Sequence, residues 1–270
     1  MSETVDLKKA LRYGAWFVAE ARLRNMSKWL WAIIAVSFAN PIIYLLAIGV
    51  GVGSLVDQNT GGAGINGVSY LTFLAPALLA SAAIQAAIDE TSFPTLEGFV
   101  WNKSFFGMNS TQLTGGQIVD GVMIAAFIRA FLTAFIYLFI LVLFGAITLE
   151  TIPVLLLVAA FAGMSFGSAM LATSSFIKDD DGFFAIVGRF IVAPLFLFSG
   201  TFYPLEQMPW FLQWIGWISP LWHSTNLSRA LSFGLPVEPW LLVVHVLFLS
   251  AVMVIGLILA RGQFSRRLAK

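Results

Sequence analysis

The chain has 270 residues, of which 59% are hydrophobic and only 11% charged, against about 25% charged in an ordinary soluble domain. With a mean hydropathy of +0.88 it carries more apolar surface than a water-soluble protein of this size can hide, which excludes a soluble globular enzyme and a disordered chain. A net charge of +1 gives no electrostatic case for nucleic acid, and the absence of cysteine excludes disulfides, thiolate metal sites and cysteine nucleophiles.

The first element is an amphipathic helix over 6–27. Leu7, Ala10, Leu11, Gly14, Phe17, Val18 and Ala21 share one face at i, i+3, i+4, i+7 spacing, with Lys8, Lys9, Arg12 and Glu20 opposite. A basic amphipathic helix ahead of an apolar run lies in the membrane interface, as a simple anchor or as a surface that also meets a partner protein. A bilayer core of about 30 Å takes about 20 apolar residues in a helix. Charge-free runs predict six membrane helices at 29–52, 68–89, 121–146, 153–177, 183–200 and 240–260. The fifth is the weakest, because it must borrow 183–187 across Arg189. The first run is too long for a secretory signal peptide, and no small-residue cleavage site follows it. The fold class is an all-α polytopic membrane protein.

Fourteen of the fifteen Lys and Arg residues fall on one side of this map, and Arg229 alone falls on the other. The positive-inside rule then places both termini, Lys103 and Lys178 in the cytoplasm, with Asp57, Glu150, Glu206 and Glu238 outside.

Two segments between spans are unusual. The cytoplasmic stretch 90–118 is long and carries Phe93, Phe99, Trp101, Phe105 and Phe106 with few charges. An apolar surface of this kind marks a contact, made either with its own spans or with a partner. The outer stretch 201–238 is rich in tryptophan and proline. Trp210, Trp214 and Trp217 share a helix face, Pro209 and Pro220 bracket that piece, and 221–232 forms a second short helix with Trp222, His223 and Arg229. Too short to cross and too apolar for a water-exposed loop, it is expected to be a re-entrant hairpin held by an aromatic belt; an ordinary interfacial cap is the alternative. Arg229 would meet an anionic group on a cargo or pair with Glu206 or Glu238.

Several motifs carry no chemistry in this setting. Gly163-Met-Ser165-Phe-Gly167 matches a nucleophile elbow, but it lies inside an apolar span, where small residues serve helix packing. Gly49 and Gly53 read the same way. Asp179, Asp180 and Asp181 lack EF-hand spacing, and His223 and His245 are isolated along the chain, so no metal is expected. There is no phosphate-binding G-x-x-x-x-G-K-[ST] string. The central thirds of the spans hold no Asp, Glu or Lys, which leaves no titratable group for ion coupling.

Phe73-Leu-Ala-Pro76-Ala-Leu-Leu, Phe198-Ser-Gly200-Thr-Phe-Tyr203-Pro204, Met208-Pro209-Trp-Phe-Leu-Gln213 and Ser219-Pro220-Leu-Trp222-His223, together with the layout of nearly the whole chain, resemble the membrane subunit of an ABC-2 type exporter. Within that family the chain is most similar to the branch holding nodulation lipo-oligosaccharide exporters and anthracycline-type drug exporters. The resemblance implies one transmembrane domain over 1–270 in a bacterial cytoplasmic (inner) membrane, with no catalytic residue and no cofactor of its own. It implies a separate cytoplasmic ATPase that binds ATP and Mg, and a second permease, identical or paralogous, within membrane lipid. It makes Glu90, Thr91, Phe93, Pro94, Glu97 and Trp101 the ATPase-coupling segment. It makes Tyr203, Trp210, Trp214, Trp217, Trp222, His223 and Arg229 the outer gate. The cargo would be a lipid-linked glycan, a lipo-oligosaccharide or a hydrophobic drug. The rival readings are an ion-coupled carrier or channel that works alone and a membrane enzyme using Ser165 or His223.

Overall fold

A computed structural model describes residues 7–62, 64–179 and 182–269, with side chains from residue 12 onward. The side chains of Leu7, Lys8, Lys9, Ala10 and Leu11, together with Asp180, Asp181 and Lys270, lie outside the described residues. Among the described residues the structure is all-α, with a single isolated bridge between Ile65 and Val68. We number the helices α1 (Leu7–Ser27), α2 (Leu30–Asn59), α3 (Tyr70–Thr91), α4 (93–101), α5 (Ser104–Asn109), α6 (Gly115–Leu143), α7 (Ile152–Phe176), α8 (Phe183–Phe198), α9 (Trp210–Trp217), α10 (Pro220–Phe233) and α11 (Pro239–Leu268).

Among the described residues five helical stretches are long and apolar enough to cross a membrane: Leu30–Asn59, Tyr70–Trp101, Gly115–Leu143, Leu149–Phe176 and Pro239–Leu268. These take five of the six expected places. The fifth in order, expected at 183–200, is occupied by the shorter α8. Backbone with positive φ stops α8 at both ends, at Gly182 (84°) and Gly200 (68°), a conformation that glycine adopts without strain. Other boundaries shift for local reasons. α6 starts at Gly115, ahead of the expected 121, because Thr114 and Gln117 form a reciprocal capping box. α11 runs past 260 to Leu268 and brings Arg266 and Arg267 into its last turn, where cations suit the helix dipole. The stretch expected as a loop at 90–118 is largely helical, formed by α4 and α5 joined through Lys103 in a left-handed conformation (φ 52°).

The core is built on α3 and α7. α3 packs on α6 and α7, α7 also packs on α11, and α1 lies along α6. Small residues permit these approaches. A Cβ at Gly163 would meet the Ala83 carbonyl oxygen at 2.9 Å, so the G-x-S-x-G string is a helix-packing surface, and its Ser165 is fully buried. A Cβ at Gly121 would meet the Ala15 carbonyl oxygen at 2.6 Å, which seats α1 against α6. The buried face of α1 is consequently Gly14, Val18, Ala19 and Arg22, while Phe17 and Ala21 are exposed. The expected apolar face is thus turned partly outward, because contact with α6 selects small side chains over bulky ones. Tyr13, Trp16 and Phe17 are left on the free side.

Among the described residues three helices depart from α geometry; in α4 the second half, Glu97–Trp101, is π-helical. α2 carries a π-helical stretch at Leu45–Val52, one turn after the internal Pro41, and α8 carries one at Gly188–Val192, just before Pro194. Proline removes an N–H and its ring crowds the carbonyl four residues back; the wider π turn before Pro194 relieves that crowding. α3, α6 and α7 are α-helical throughout.

Candidate functional site

The segment expected to meet a partner begins at the break between α3 and α4. Four charged side chains converge there. Arg22 of α1 donates from Nε to Glu90 Oε1 (3.0 Å), from Nη2 to the Glu90 carbonyl (3.1 Å) and from Nη1 to the Pro94 carbonyl (3.2 Å). Its guanidinium lies 2.8 Å from Glu90 Oε1 as an ion pair. Arg129 of α6 donates to Asp89 Oδ2 (2.9 Å) and reaches Glu90 Oε2 (3.5 Å). Glu90 is 5% exposed and Arg22 9%, so the pair is enclosed by protein. Two cations and two anions cancel, and the donors also satisfy carbonyls freed where Ser92 interrupts the helix. This joins three elements, α1, the α3–α4 junction and α6, at one point.

The expected coupling residues divide into two groups. Glu90 and Thr91 are buried, Thr91 donating back to the Ala87 carbonyl at 2.8 Å. Phe93 and Trp101 are exposed, and Pro94 and Glu97 are partly exposed. Residues 93, 97 and 101 repeat every four and share one side of α4. The opposite side is fixed: Phe99 packs edge-on against Phe105 (5.0 Å) and Phe264 (4.7 Å), and the Arg267 guanidinium lies 4.1 Å from its ring centre. The stretch therefore divides: Phe99 and Phe105 pack in the chain's own core, and Phe93 and Trp101 are exposed.

At the other end of the molecule α9 and α10 form a cap. Trp210, Trp214 and Trp217 are all more than half exposed and share one face of α9. Tyr203 is also exposed, whereas Trp222 is buried on Leu205 and Met208. The cap is bolted down by polar bonds. Tyr70 Oη donates to the Phe202 carbonyl (3.0 Å), and Ser199 bonds Ser219, the residue that caps α10 (2.7 Å).

Arg229 is 2% exposed and donates to the carbonyls of Phe73 (3.1 Å), Gly200 (2.9 Å) and Thr201 (3.2 Å), with its guanidinium 3.6 Å from the Phe73 ring centre. It makes no ion pair with Glu206 or Glu238 among the described residues. The carbonyls past the end of α8 have no helical partner, and Arg229 supplies one. Burial pulls it down to about 9, opposed by the charge of Glu206, so it stays charged at neutral pH.

His223 and His245, isolated along the chain, meet in space, with Nδ1 atoms 2.8 Å apart. His223 Nε2 lies 2.9 Å from the Trp217 carbonyl. A carbonyl only accepts, so Nε2 carries the proton and His223 Nδ1 accepts from His245. That leaves His245 Nε2 a bare acceptor, and it has no partner. Burial holds His223 below the ordinary imidazole range, with the bond to Trp217 opposing. Among the described residues no group of three His, Asp or Glu side chains is arranged to hold a metal.

Sequence reasoning missed Arg22, Asp89 and Arg129 as parts of one cluster, and missed the contact between His223 and His245. The available signal for the cluster was two cations flanking spans whose neighbour ends in Asp89-Glu90.

The sequence model of the ABC-2 type transporter membrane domain matches residues 16–233. Among curated proteins, Nodulation protein J of Rhizobium leguminosarum bv. viciae is 28% identical over 250 residues, covering 92% of this chain and 93% of that protein. Nodulation protein J of Rhizobium leguminosarum bv. trifolii is 29% identical, covering 92% of each. Nodulation protein J of Sinorhizobium fredii is 28% identical, covering 91% of each. No solved structure matches the chain.

Proposed function

The chain belongs to the ABC-2 type transporter family, and on that footing we propose that it is the membrane permease of an ATP-driven exporter, coupled to a separate ATPase through α4. The supporting observation is the row Phe93, Glu97 and Trp101, exposed at both ends and partly exposed at Glu97, on a base locked by Arg22 and Glu90. A mobile apolar loop would dissipate a push from a partner. A short helix tied to α1, α3 and α6 passes it on to the spans. In this reading α8 is the sixth crossing, both termini are cytoplasmic in a bacterial inner membrane, and two permeases work with two ATPases that bind ATP and Mg. The 14-to-1 distribution of Lys and Arg supports the orientation.

The test is ATP hydrolysis by the assembled transporter. A Phe93→Ala, Glu97→Arg double variant should insert and assemble normally, yet lose most of its substrate-stimulated turnover. Full stimulation would assign α4 to packing alone. An ion-coupled carrier acting alone would instead transport in liposomes that contain no ATPase.

We further propose that the cap is the exit for an amphiphilic cargo, with α10 as the fixed wall and α9 as the lip. Three exposed indoles on one face suit a lipidic or aromatic group leaving sideways into the outer leaflet. Replacing Trp210, Trp214 and Trp217 together by leucine keeps the apolar bulk and removes the interface-seeking rings. Assembly should survive and export should fall; unchanged export would remove α9 from the path. In this reading Arg229, bonded to the Phe73, Gly200 and Thr201 carbonyls, is the bolt behind the exit, and Trp222 and His223 are its inner packing.

A further inference from the structure

The charge-free run of the last span ends at 260, yet α11 continues to Leu268. Its buried residues there repeat every four, at Gly256, Ala260, Phe264 and Leu268, so one face of the extension is turned into protein. What it meets is the pair formed by α4 and α5. Phe264 packs on Phe99 of α4 (4.7 Å) and on Phe105 of α5 (5.3 Å), and Asn109, at the end of α5, donates to the Leu268 carbonyl (3.4 Å). A Cβ at Gly98 would stand 2.5 Å from the Phe105 ring, so α4 is seated closely on α5.

Arg267, three residues past Phe264, ties this contact to another helix. Its Nη1 donates to the carbonyls of Ser175 (3.0 Å) and Ile177 (2.6 Å). Both stand at the end of α7, where carbonyls have no helical partner. With both hydrogens of Nη1 engaged, the plane of the guanidinium is fixed, and it lies 4.1 Å from the centre of the Phe99 ring, a cation–π geometry. Capping α7 alone would not need that ring, since water or any cation reaching the helix end could serve its oxygens. The stack makes the cap of α7 a contact with α4 as well.

We propose that Arg267 is a positioning residue for the partner-facing helix: by bracing Phe99 it sets the lie of the far half of α4, Glu97–Trp101, as Arg22 sets its start. That half is the π-helical part of α4, a wider turn found mostly as single-turn bulges at functional sites. Glu97 and Trp101 lie on the side of α4 away from Phe99. A tilt of the helix about its Arg22 anchor would therefore carry them off a partner's surface and leave Phe93 in place. The two ends are held from different parts of the fold, the start from α1 and the far half from the joint of α7 with α11, so a push on α4 has a second route into the spans. The inference rests on the reading of α4 as the contact for an ATPase, but its first test involves no ATPase, so the two fail separately.

The chain is cysteine-free, so Trp101→Cys and Phe93→Cys each give a single thiol for a nitroxide label, at the far end and at the start of α4. In the full chain held in lipid nanodiscs, adding Arg267→Met should raise the mobile fraction of the label at 101 about two- to fivefold, the weight of a cation–π contact at a partly exposed site, and leave the label at 93 unchanged. Arg267→Lys, which keeps the charge without the flat guanidinium, should fall between the two. A role in folding alone would loosen both positions equally or neither, and either result would overturn the proposal. In the assembled transporter, with residues 93 and 101 native, Arg267→Met should keep basal ATP hydrolysis and lose a comparable share of its substrate stimulation. An unmoved label with stimulation lost would overturn the brace and leave the coupling reading standing. A label loosened at 101 with stimulation intact would keep the brace and overturn the coupling reading of α4.

Discussion

Glu90→Ala is expected to destabilise the folded chain by about 3–5 kcal/mol, the range for removing one member of a buried charge pair. The loss is large because two guanidiniums face the vacancy. Arg22 keeps its bonds to the Glu90 and Pro94 carbonyls but has no counter-charge, and Arg129 retains only Asp89. Arg22→Met combined with Glu90→Leu should recover much of the loss, since replacing a whole buried pair by apolar groups is often neutral. Unfolding in mixed detergent–lipid micelles would measure both. A loss below about 1 kcal/mol for Glu90→Ala, typical of a surface ion pair, would mean that water reaches the cluster. Because the same residues anchor α4, the double apolar variant also separates stability from coupling: it should fold, and its ATPase partner should still bind, but the push on α3 and α6 should be lost.

The second large effect is expected at Arg229. Arg229→Met removes the donor for the Phe73, Gly200 and Thr201 carbonyls at once, and an unsatisfied buried acceptor costs about 1–3 kcal/mol. Arg229→Lys carries a single compact ammonium in place of a planar fork and should recover only part. Folded yield and export should therefore fall together. If Arg229→Gln instead left folded protein intact and lowered export of an anionic cargo alone, the residue would be a cargo contact and not a bolt.

These two sites differ in what was legible in the sequence. Charge-free runs located the apolar helices because burial in lipid is a matter of local composition, and the spacing of Trp210, Trp214 and Trp217 set their common face because helical period is local too. α8 was the uncertain member because Arg189 interrupts its apolar run, and its ends are set by backbone conformation at Gly182 and Gly200. Arg229 was visible as an exceptional cation, but its partners are backbone carbonyls, which every residue has and no sequence position advertises. The same limit hid the meeting of His223 with His245, which depends on how α10 packs on α11.

The π-helical stretches in α2 and α8 have a mechanical consequence. A π turn holds more residues than an α turn, so each stretch stores a length of backbone that a regular helix would not. Tightening one into α geometry by a single residue turns everything beyond it by about 100°, the angular step of an α-helix. Both stretches border one cavity between α2, α3 and α8: Tyr44 precedes the one in α2, and Gly188 and Val192 belong to the one in α8. The opposite wall, α3, is regular and locked at Glu90. A push delivered to α3 through α4, as proposed above, would meet two neighbours whose π turns are the points where such a rewinding would start, and the segment beyond each would rotate with it.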